Sequence, residues 1–255
     1  MVIVGFCLTA IVMVLPLIVE SDPLSQNQDE RLMSPSLHHL FGTDGFGRDI
    51  FVRVLYGARN SLLVAISAIV ASSCLGVPIG GTAAISKRAD RLIGRVVDIF
   101  IGIPFLILLL IIIVAFGAHI VSMTVGLAIV LLPRVIRFAK GSMIAFSSEP
   151  YIEAAVVSGA SRFTIFRRHL MRNAIPSILA YLSGLFGTVL LAETSLSFLG
   201  LGIPAPYPSL GGMLKEGARL YLESAPWMTI FPGITIAMMV LTANILSGSF
   251  RKNVT

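Results

Sequence analysis

Charge is what this chain has least of. Asp, Glu, Lys and Arg together make up 13% of its 255 residues, about half the share found in a soluble globular domain. With 56% of residues apolar, there is more oily surface than a soluble core can absorb, so the expected solvent is a lipid bilayer. Cysteine is nearly absent: Cys7 and Cys74 both lie in apolar runs, which argues against a disulfide framework or a cysteine-based metal motif. The patterns of common catalytic sites are missing too. There is no G-x-S-x-G, no H-E-x-x-H and no G-x-x-x-x-G-K-[ST] loop to cradle a nucleotide. No short internal repeat or low-complexity tract stands out.

What is present is a series of long apolar segments. A spanning helix needs roughly 20 mostly apolar residues. Six segments qualify, at about 1–19, 61–85, 96–118, 120–140, 174–200 and 226–248. Lipid offers the backbone no hydrogen-bond partner, and the runs are too continuous for a barrel, so they are read as helices. The expected fold is all-α, a polytopic bundle of about six membrane helices. The first twenty residues lack the basic start and small-residue cleavage site of a signal peptide and are read as an uncleaved helix. Gly76, Gly80, Gly81, Gly102, Pro104, Gly184 and Gly187 fall inside the segments. Membrane bundles tolerate such residues because small side chains allow close packing.

Lys and Arg predict the orientation. Thirteen of the 19 lie between residues 87 and 95, between 134 and 172, or in the tail; eight of the 13 acids lie in residues 20–60 and 201–225. The basic side is therefore expected to be cytoplasmic, with both termini inside. Topology accounts for the basic excess, and no nucleic-acid groove is expected. The expected division is an N-terminal helix and outer loop over 1–60, then a core membrane domain over 61–255 that contains a cytoplasmic segment, 141–173.

That segment carries EAAVVSGASRFTIFRRHL over residues 153–170. Ile152, Ala155, Val156, Gly159, Phe163, Phe166 and Leu170 recur at three- and four-residue steps, as one helix stripe or two short helices bent at Gly159. Periodicity alone fits a helix lying on anionic headgroups as well as a helix fitting a cleft on another protein. The run Glu153-Ala154-Ala155, Gly159-Ala160, His169-Leu170, Asn173 and Pro176 resembles the EAA segment of ATP-binding-cassette importer permeases. Where that family usually carries proline just before the asparagine, this chain has Arg172. The resemblance implies a coupling helix that docks on a cytoplasmic ATPase through Glu153, Ala154, Ala155, Gly159, Ala160, Phe163, Phe166, His169 and Leu170.

Two further runs narrow the family. FGTDGFGRDIFVRVLYGARNSL at 41–62 and AETSLSFLGLG at 192–202, with Pro204, Pro206, Gly211, Gly212, Pro226, Trp227 and Pro232 beyond, resemble the subgroup that imports dipeptides, oligopeptides and nickel chelates. Within it the chain is similar to the second permease subunit. The resemblance implies a bacterial inner-membrane subunit that forms half of a peptide pathway and is not itself an enzyme. Its implied partners are a homologous permease, two cytoplasmic ATP-binding subunits that hold ATP and Mg²⁺, and an extracellular or periplasmic solute-binding protein. A nickel or metal-chelate importer is the alternative substrate reading, and an ATP-independent secondary transporter the alternative class.

Single residues add to these motifs. GTDGFGRD lacks the ligand spacing of an EF-hand and the context of a P-loop; it reads as a tight turn in which Asp44 caps the next helix. Glu193, inside the fifth segment, is either a residue of the translocation path or a helix-packing hydrogen bond. Asp98 is expected to pair with Arg95, Asn244 to join helices, and His38 and His39 to be solvated. No metal ligand set and no catalytic residue is expected.

Overall fold

The computed structural model describes residues 21–147 and 149–252. The first expected span, 1–19, and the placement of the N-terminus lie outside these residues. The described elements, apart from one short 3-10 turn at Gln28–Glu30, are α-helices: α1 Ile50–Ile85, α2 Lys87–Gly102, α3 Phe105–Phe116, α4 Ile120–Ala145, α5 Pro150–Val157, α6 Arg162–Ile165, α7 Met171–Leu199, α8 Leu210–Leu220 and α9 Trp227–Lys252. A single π turn, Phe166–Leu170, joins α6 to α7, so Phe163–Leu199 runs as one helix of 37 residues. Among the described residues four helices are long and apolar enough to cross a membrane, α1, α4, Phe163–Leu199 and Trp227–Gly248, and the bent pair α2 and α3 makes a fifth if taken as one span.

Three boundaries differ from expectation. The helix expected at 61–85 starts at Ile50 and has 36 residues, about 54 Å at 1.5 Å per residue. The helix expected at 174–200 starts a full three turns earlier, which leaves only a short connector of the presumed 141–173 loop. The span expected at 96–118 is broken. Ile103 is extended (φ −90°, ψ 129°), as a residue before proline prefers. Ile107 and Leu108 then donate to the Pro104 carbonyl at 3.0 and 3.1 Å. The two helices either side are bent by 90°. Hydropathy averages across this break, because Pro104 sits in an apolar run.

The chain forms two compact units. One comprises the described part of Met1–Ser67, with Leu110–Thr124 and Phe186–Leu246. Its core joins the start of α1 (Ile50, Val54, Ala58) to α8 (Leu210, Met213) and the approach to α9 (Ala225, Met228). Phe41 fastens the preceding loop to this core, stacked on Phe231 with centroids 4.0 Å apart and edge-on to Phe51. α8 starts at Ser209, whose Oγ accepts from Gly212 N at 3.2 Å as an N-cap does.

The other unit comprises Ala68–Leu109, Val125–Leu185 and Ser247–Thr255. Here α1 meets α4 along Gly76 and Gly80. A Cβ on Gly76 would come within 2.8 Å of Val135, and one on Gly80 within 2.6 Å of the Ile136 carbonyl. A Gly-x-x-x-Gly spacing puts both on one face, and their lack of side chains is what lets the backbones approach. α4 carries a row of bases toward α2 and α3. Arg134 lies over the Phe105 ring at 4.8 Å, Arg137 bonds Asp98 at 2.6 Å, and Lys140 pairs with Asp90. Asp98 thus pairs across helices, where Arg95 on its own helix was expected.

Candidate functional site

The connector between α4 and α7 is built from recognisable local rules. α5 opens with Pro150, whose missing N–H costs nothing in a first turn. It ends in a Schellman turn: Ala160 N donates to the Ala155 carbonyl at 3.0 Å, with Gly159 at φ 82° between them. That left-handed position favours glycine. Ser161 then starts the next helix, its Oγ accepting from Thr164 N at 3.2 Å. So the sequence G-A-S codes a stop, a bend and a start within three residues.

Packing divides the nine expected docking residues. Ile152, Ile165 and Leu170 enter a core with Ala139, Met143, Ala174 and Ile178. Leu170 is only 3% exposed, so it anchors the segment and cannot be presented to a partner. Phe166 is half-buried against Gly81, and Ala155 and Ala160 are half-buried on the same core. Half-buried His169 has its ring 6.0 Å from Tyr151. Glu153, Ala154, Gly159 and Phe163 are exposed, Phe163 at 63%, with Val157 beside them at 88%. The segment therefore serves two purposes: its inward residues hold it in place, and its outward residues form a small apolar knob with the Glu153 carboxylate. Sequence reasoning missed Tyr151, whose hydroxyl accepts from Asn173 Nδ2 at 2.8 Å and ties α5 to α7. The pairing of an aromatic hydroxyl with the motif's asparagine leaves no periodic signal.

Glu193 is fully buried. Ser61 Oγ donates to its Oε2 at 2.7 Å and Ser197 Oγ to its Oε1 at 2.8 Å. Thr194 Oγ1 stands 3.4 Å from Oε2 but bonds the Leu190 carbonyl more closely, at 2.8 Å. These bonds join α7 to α1 within the chain. Asn244 lies close to Gly187, where a Cβ would come within 3.1 Å of its Oδ1.

In the loop before α1, Asp49 caps the helix, accepting from Val52 N at 3.1 Å. Asp44, expected in that role, instead folds the loop. Its Oδ1 accepts from Phe46 N and Arg48 N, and its Oδ2 lies 2.6 Å from Arg48 Nε and 3.5 Å from Arg53 Nε. Arg53 Nη1 also donates to the Pro23 carbonyl at 2.9 Å, and Arg48 Nη2 lies 3.8 Å from Glu216. Burial, and then the Asp44 charge, push the Glu216 carboxyl above its ordinary range, while the two arginines pull it back. His39 is not solvated as expected: it contacts Asp49 at 2.8 Å and Glu30 at 3.6 Å. Among the described residues no group of three or more His, Cys, Asp or Glu is placed to hold a metal.

A membrane bundle with a helix–bend–helix knob on one connector has clear relatives. Residues 76–255 match the family described as binding-protein-dependent transport system inner membrane component. A putative peptide transport system permease protein of Brucella suis biovar 1 is 38% identical over 236 residues, covering 92% of this chain and 79% of the relative. The dipeptide transport system permease protein DppC of Alkalihalophilus pseudofirmus is 36% identical over 251 residues, 98% of this chain and 82% of its own. A glutathione transport system permease protein of Escherichia coli O6:K15:H31 is 36% identical over 85% of this chain and 72% of its own. Among solved structures, an inward-facing MetNI methionine ABC transporter chain superposes with a TM-score of 0.67 at 18% identity, over 80% of this chain and 96% of that one; it shares the fold. The chain therefore belongs to the inner-membrane permease components of binding-protein-dependent ATP-binding-cassette importers, a multi-pass subunit whose ATP is handled by a partner.

Proposed function

We propose that this subunit forms half of a peptide translocation path, and that residues 150–170 are its handle for a cytoplasmic ATPase. The observation that carries the reading is the split of residues 152–170 into buried and exposed side chains. Ile152, Ile165 and Leu170 are locked in the core of their unit, while Glu153, Ala154, Gly159 and Phe163 face outward. A lever needs both properties. A knob that moved independently of the bundle could transmit no force. A knob without exposed apolar and small residues would offer no close contact. Glu153, in the first turn of α5, is free to meet a cation on the partner.

In this reading a homologous permease completes the path, and the two are driven by two ATP-binding subunits. A solute-binding protein delivers cargo to the outer segments at residues 21–49 and 200–226. Both termini then lie on the cytoplasmic side with the knob. ATP-driven closure of the motor shifts the bundle between two access states by favouring one of them. The cargo class follows the relatives, which carry peptides, dipeptides and glutathione by name.

The test uses the full transporter with its binding protein in proteoliposomes. Glu153→Arg and Gly159→Leu should each insert normally yet lose most peptide uptake and most binding-protein-stimulated ATP hydrolysis. A cysteine at Phe163 should cross-link to the ATPase subunit. Normal uptake in both variants, with no such cross-link, would overturn the handle. Uptake coupled to a proton gradient without any ATPase would overturn the whole assembly.

A further inference from the structure

α2 is too charged to be half of an ordinary span. Its 16 residues hold four bases and two acids, and it extends about 24 Å at 1.5 Å per residue. Yet it is bent by 90° from α3, whose sequence FLILLLIIIVAF has no polar side chain at all. Such a segment belongs in hydrocarbon. A helix set square to it, and fixed to the basic end of α4, runs along the bilayer surface.

The residues of α2 sort onto three faces to match. One face packs on α4: Val97 is buried and Asp90 pairs with Lys140; Asp98, which at 100° per residue falls among the bases, is paired with Arg137. Both acids of the helix are thereby neutralised from α4. A second face exposes Leu92, Val96 and Ile99, each more than half exposed. A third carries Lys87, Arg88, Arg91 and Arg95, all exposed, and none of them is in an ion pair among the described residues. At 100° per residue the basic face adjoins the apolar one, with Arg88 and Arg95 at the seam. Beside the start of the helix, Ser86, Lys87, Arg88 and Asp90, the last held by Lys140, line an open cleft of about 770 Å³ with Ile144 and Ser147.

We propose that α2 is an interfacial helix that binds anionic phospholipid. The phosphodiester headgroups meet Lys87, Arg88, Arg91 and Arg95, with the cleft at Ser86–Arg88 giving one of them room. The acyl chains lie along Leu92, Val96 and Ile99. Charge decides the occupant. An apolar strip edged by four uncompensated bases complements an anionic headgroup layer over hydrocarbon. A protein surface would have to supply both a grease patch and a matching row of acids. The ion pairs to α4 then neutralise the helix's own carboxylates, so that Asp90 and Asp98 do not cancel the four bases. This inference rests on membrane insertion alone and stands or falls separately from ATPase docking by residues 150–170.

The test is done on the assembled transporter in phosphatidylcholine vesicles with and without phosphatidylglycerol. A fluorescent label on Leu92→Cys, with Cys7 and Cys74 changed to Ser, should be quenched by lipids carrying a shallow nitroxide. Native mass spectrometry should find phosphatidylglycerol retained over phosphatidylcholine. In K87Q/R88Q/R91Q/R95Q that enrichment should fall by more than about tenfold, and four lysines at the same positions should restore it. Unchanged enrichment in the Gln variant would overturn the proposal. So would a label at position 92 that lipid quenchers cannot reach and that cross-links to another subunit. The label is read on a chain with its bases intact, so the outcome does not depend on the Gln variant folding.

Discussion

Two sets of four charged side chains stand in this chain, each balanced two against two. Asp44, Arg48, Arg53 and Glu216 form one, within the unit that holds the start of α1 and α8. Asp90, Asp98, Arg137 and Lys140 form the other, between α2 and α4. Their most direct pairs differ in burial. Asp44, Arg48 and Arg53 are at most 5% exposed, whereas the side chains of Arg137 and Asp98 are 61% and 64% exposed. Similar bonds at 2.6 Å therefore have different consequences. Removing one partner of a buried pair strands a desolvated charge and costs about 3–5 kcal/mol. An exposed pair competes with water and salt and contributes about 0–1 kcal/mol. The first set locks a fold; the second arranges a surface.

The largest expected effect tests the lock. Asp44→Ala leaves Arg48 and Arg53 buried without their main carboxylate, and also frees the N–H groups of Phe46 and Arg48. It should lower stability by about 3–5 kcal/mol. Trp227, the single tryptophan, is well placed to report this, because its Nε1 donates to the Thr43 carbonyl next to Asp44 at 3.2 Å. Thermal unfolding of the chain in detergent, followed by Trp227 fluorescence, should shift strongly downward. A change under about 1 kcal/mol would make this set no different from an exposed one.

A backbone route to the same lock comes next. Gly47 has φ 71°, and a Cβ there would collide with the carbonyl oxygen of Asn27. Gly47→Ala should cost about 1–3 kcal/mol for the strained conformation, with a further penalty for the collision. It touches no charge, so it separates the shape of the loop from its electrostatics. A Gly47→Ala chain that unfolds like the parent would show that the loop bends freely and that charge alone fixes it.

How much of this was legible in the sequence follows from the same contrast. Apolar runs marked α1, α4, α7 and α9, because bilayer thickness dictates their length. The knob could be located from Glu153-Ala154-Ala155 and Gly159, since a small-residue run beside a helix breaker is a local pattern. The break at Pro104 was invisible: four other prolines, Pro78, Pro133, Pro176 and Pro232, sit inside unbroken helices. What differs at Pro104 is the set of contacts from α4, namely Arg134 on Phe105, Arg137 on Asp98 and Lys140 on Asp90. Those partners lie tens of residues away. The same holds for Arg53, which bonds the Pro23 carbonyl, and for Leu170, whose place in the stripe gave no hint that it faces inward. Periodicity finds a face; only packing says which half of the face is buried.

A pH experiment sharpens the comparison more gently. The Glu216 carboxyl sits above its ordinary range, chiefly through burial and then through Asp44. The folded chain therefore holds that proton more tightly than the unfolded chain does. It follows that this group's contribution is most favourable below the unfolded titration range and is lost as pH rises through the folded one. Glu216→Gln should remove this fall in stability with rising pH, read from Trp227 unfolding across the acid range. An unaltered pH profile would mean that Arg48, at 3.8 Å, compensates the charge fully.

The smallest expected effect belongs to the exposed set. Asp98→Asn deletes the bond to Arg137 where both side chains are mostly in solvent. Stability should fall by less than about 1 kcal/mol, and even that difference should shrink as added salt screens the parent's pair. Asp44→Ala should keep its deficit in high salt, because its charges are out of reach of the ions. Two unfolding curves for each variant, at low and high salt, thus place the two sets on one scale. A deficit for Asp98→Asn that is both large and salt-independent would mean that another layer covers α2 in the folded chain. The exposure that makes this pair weak would then be only apparent.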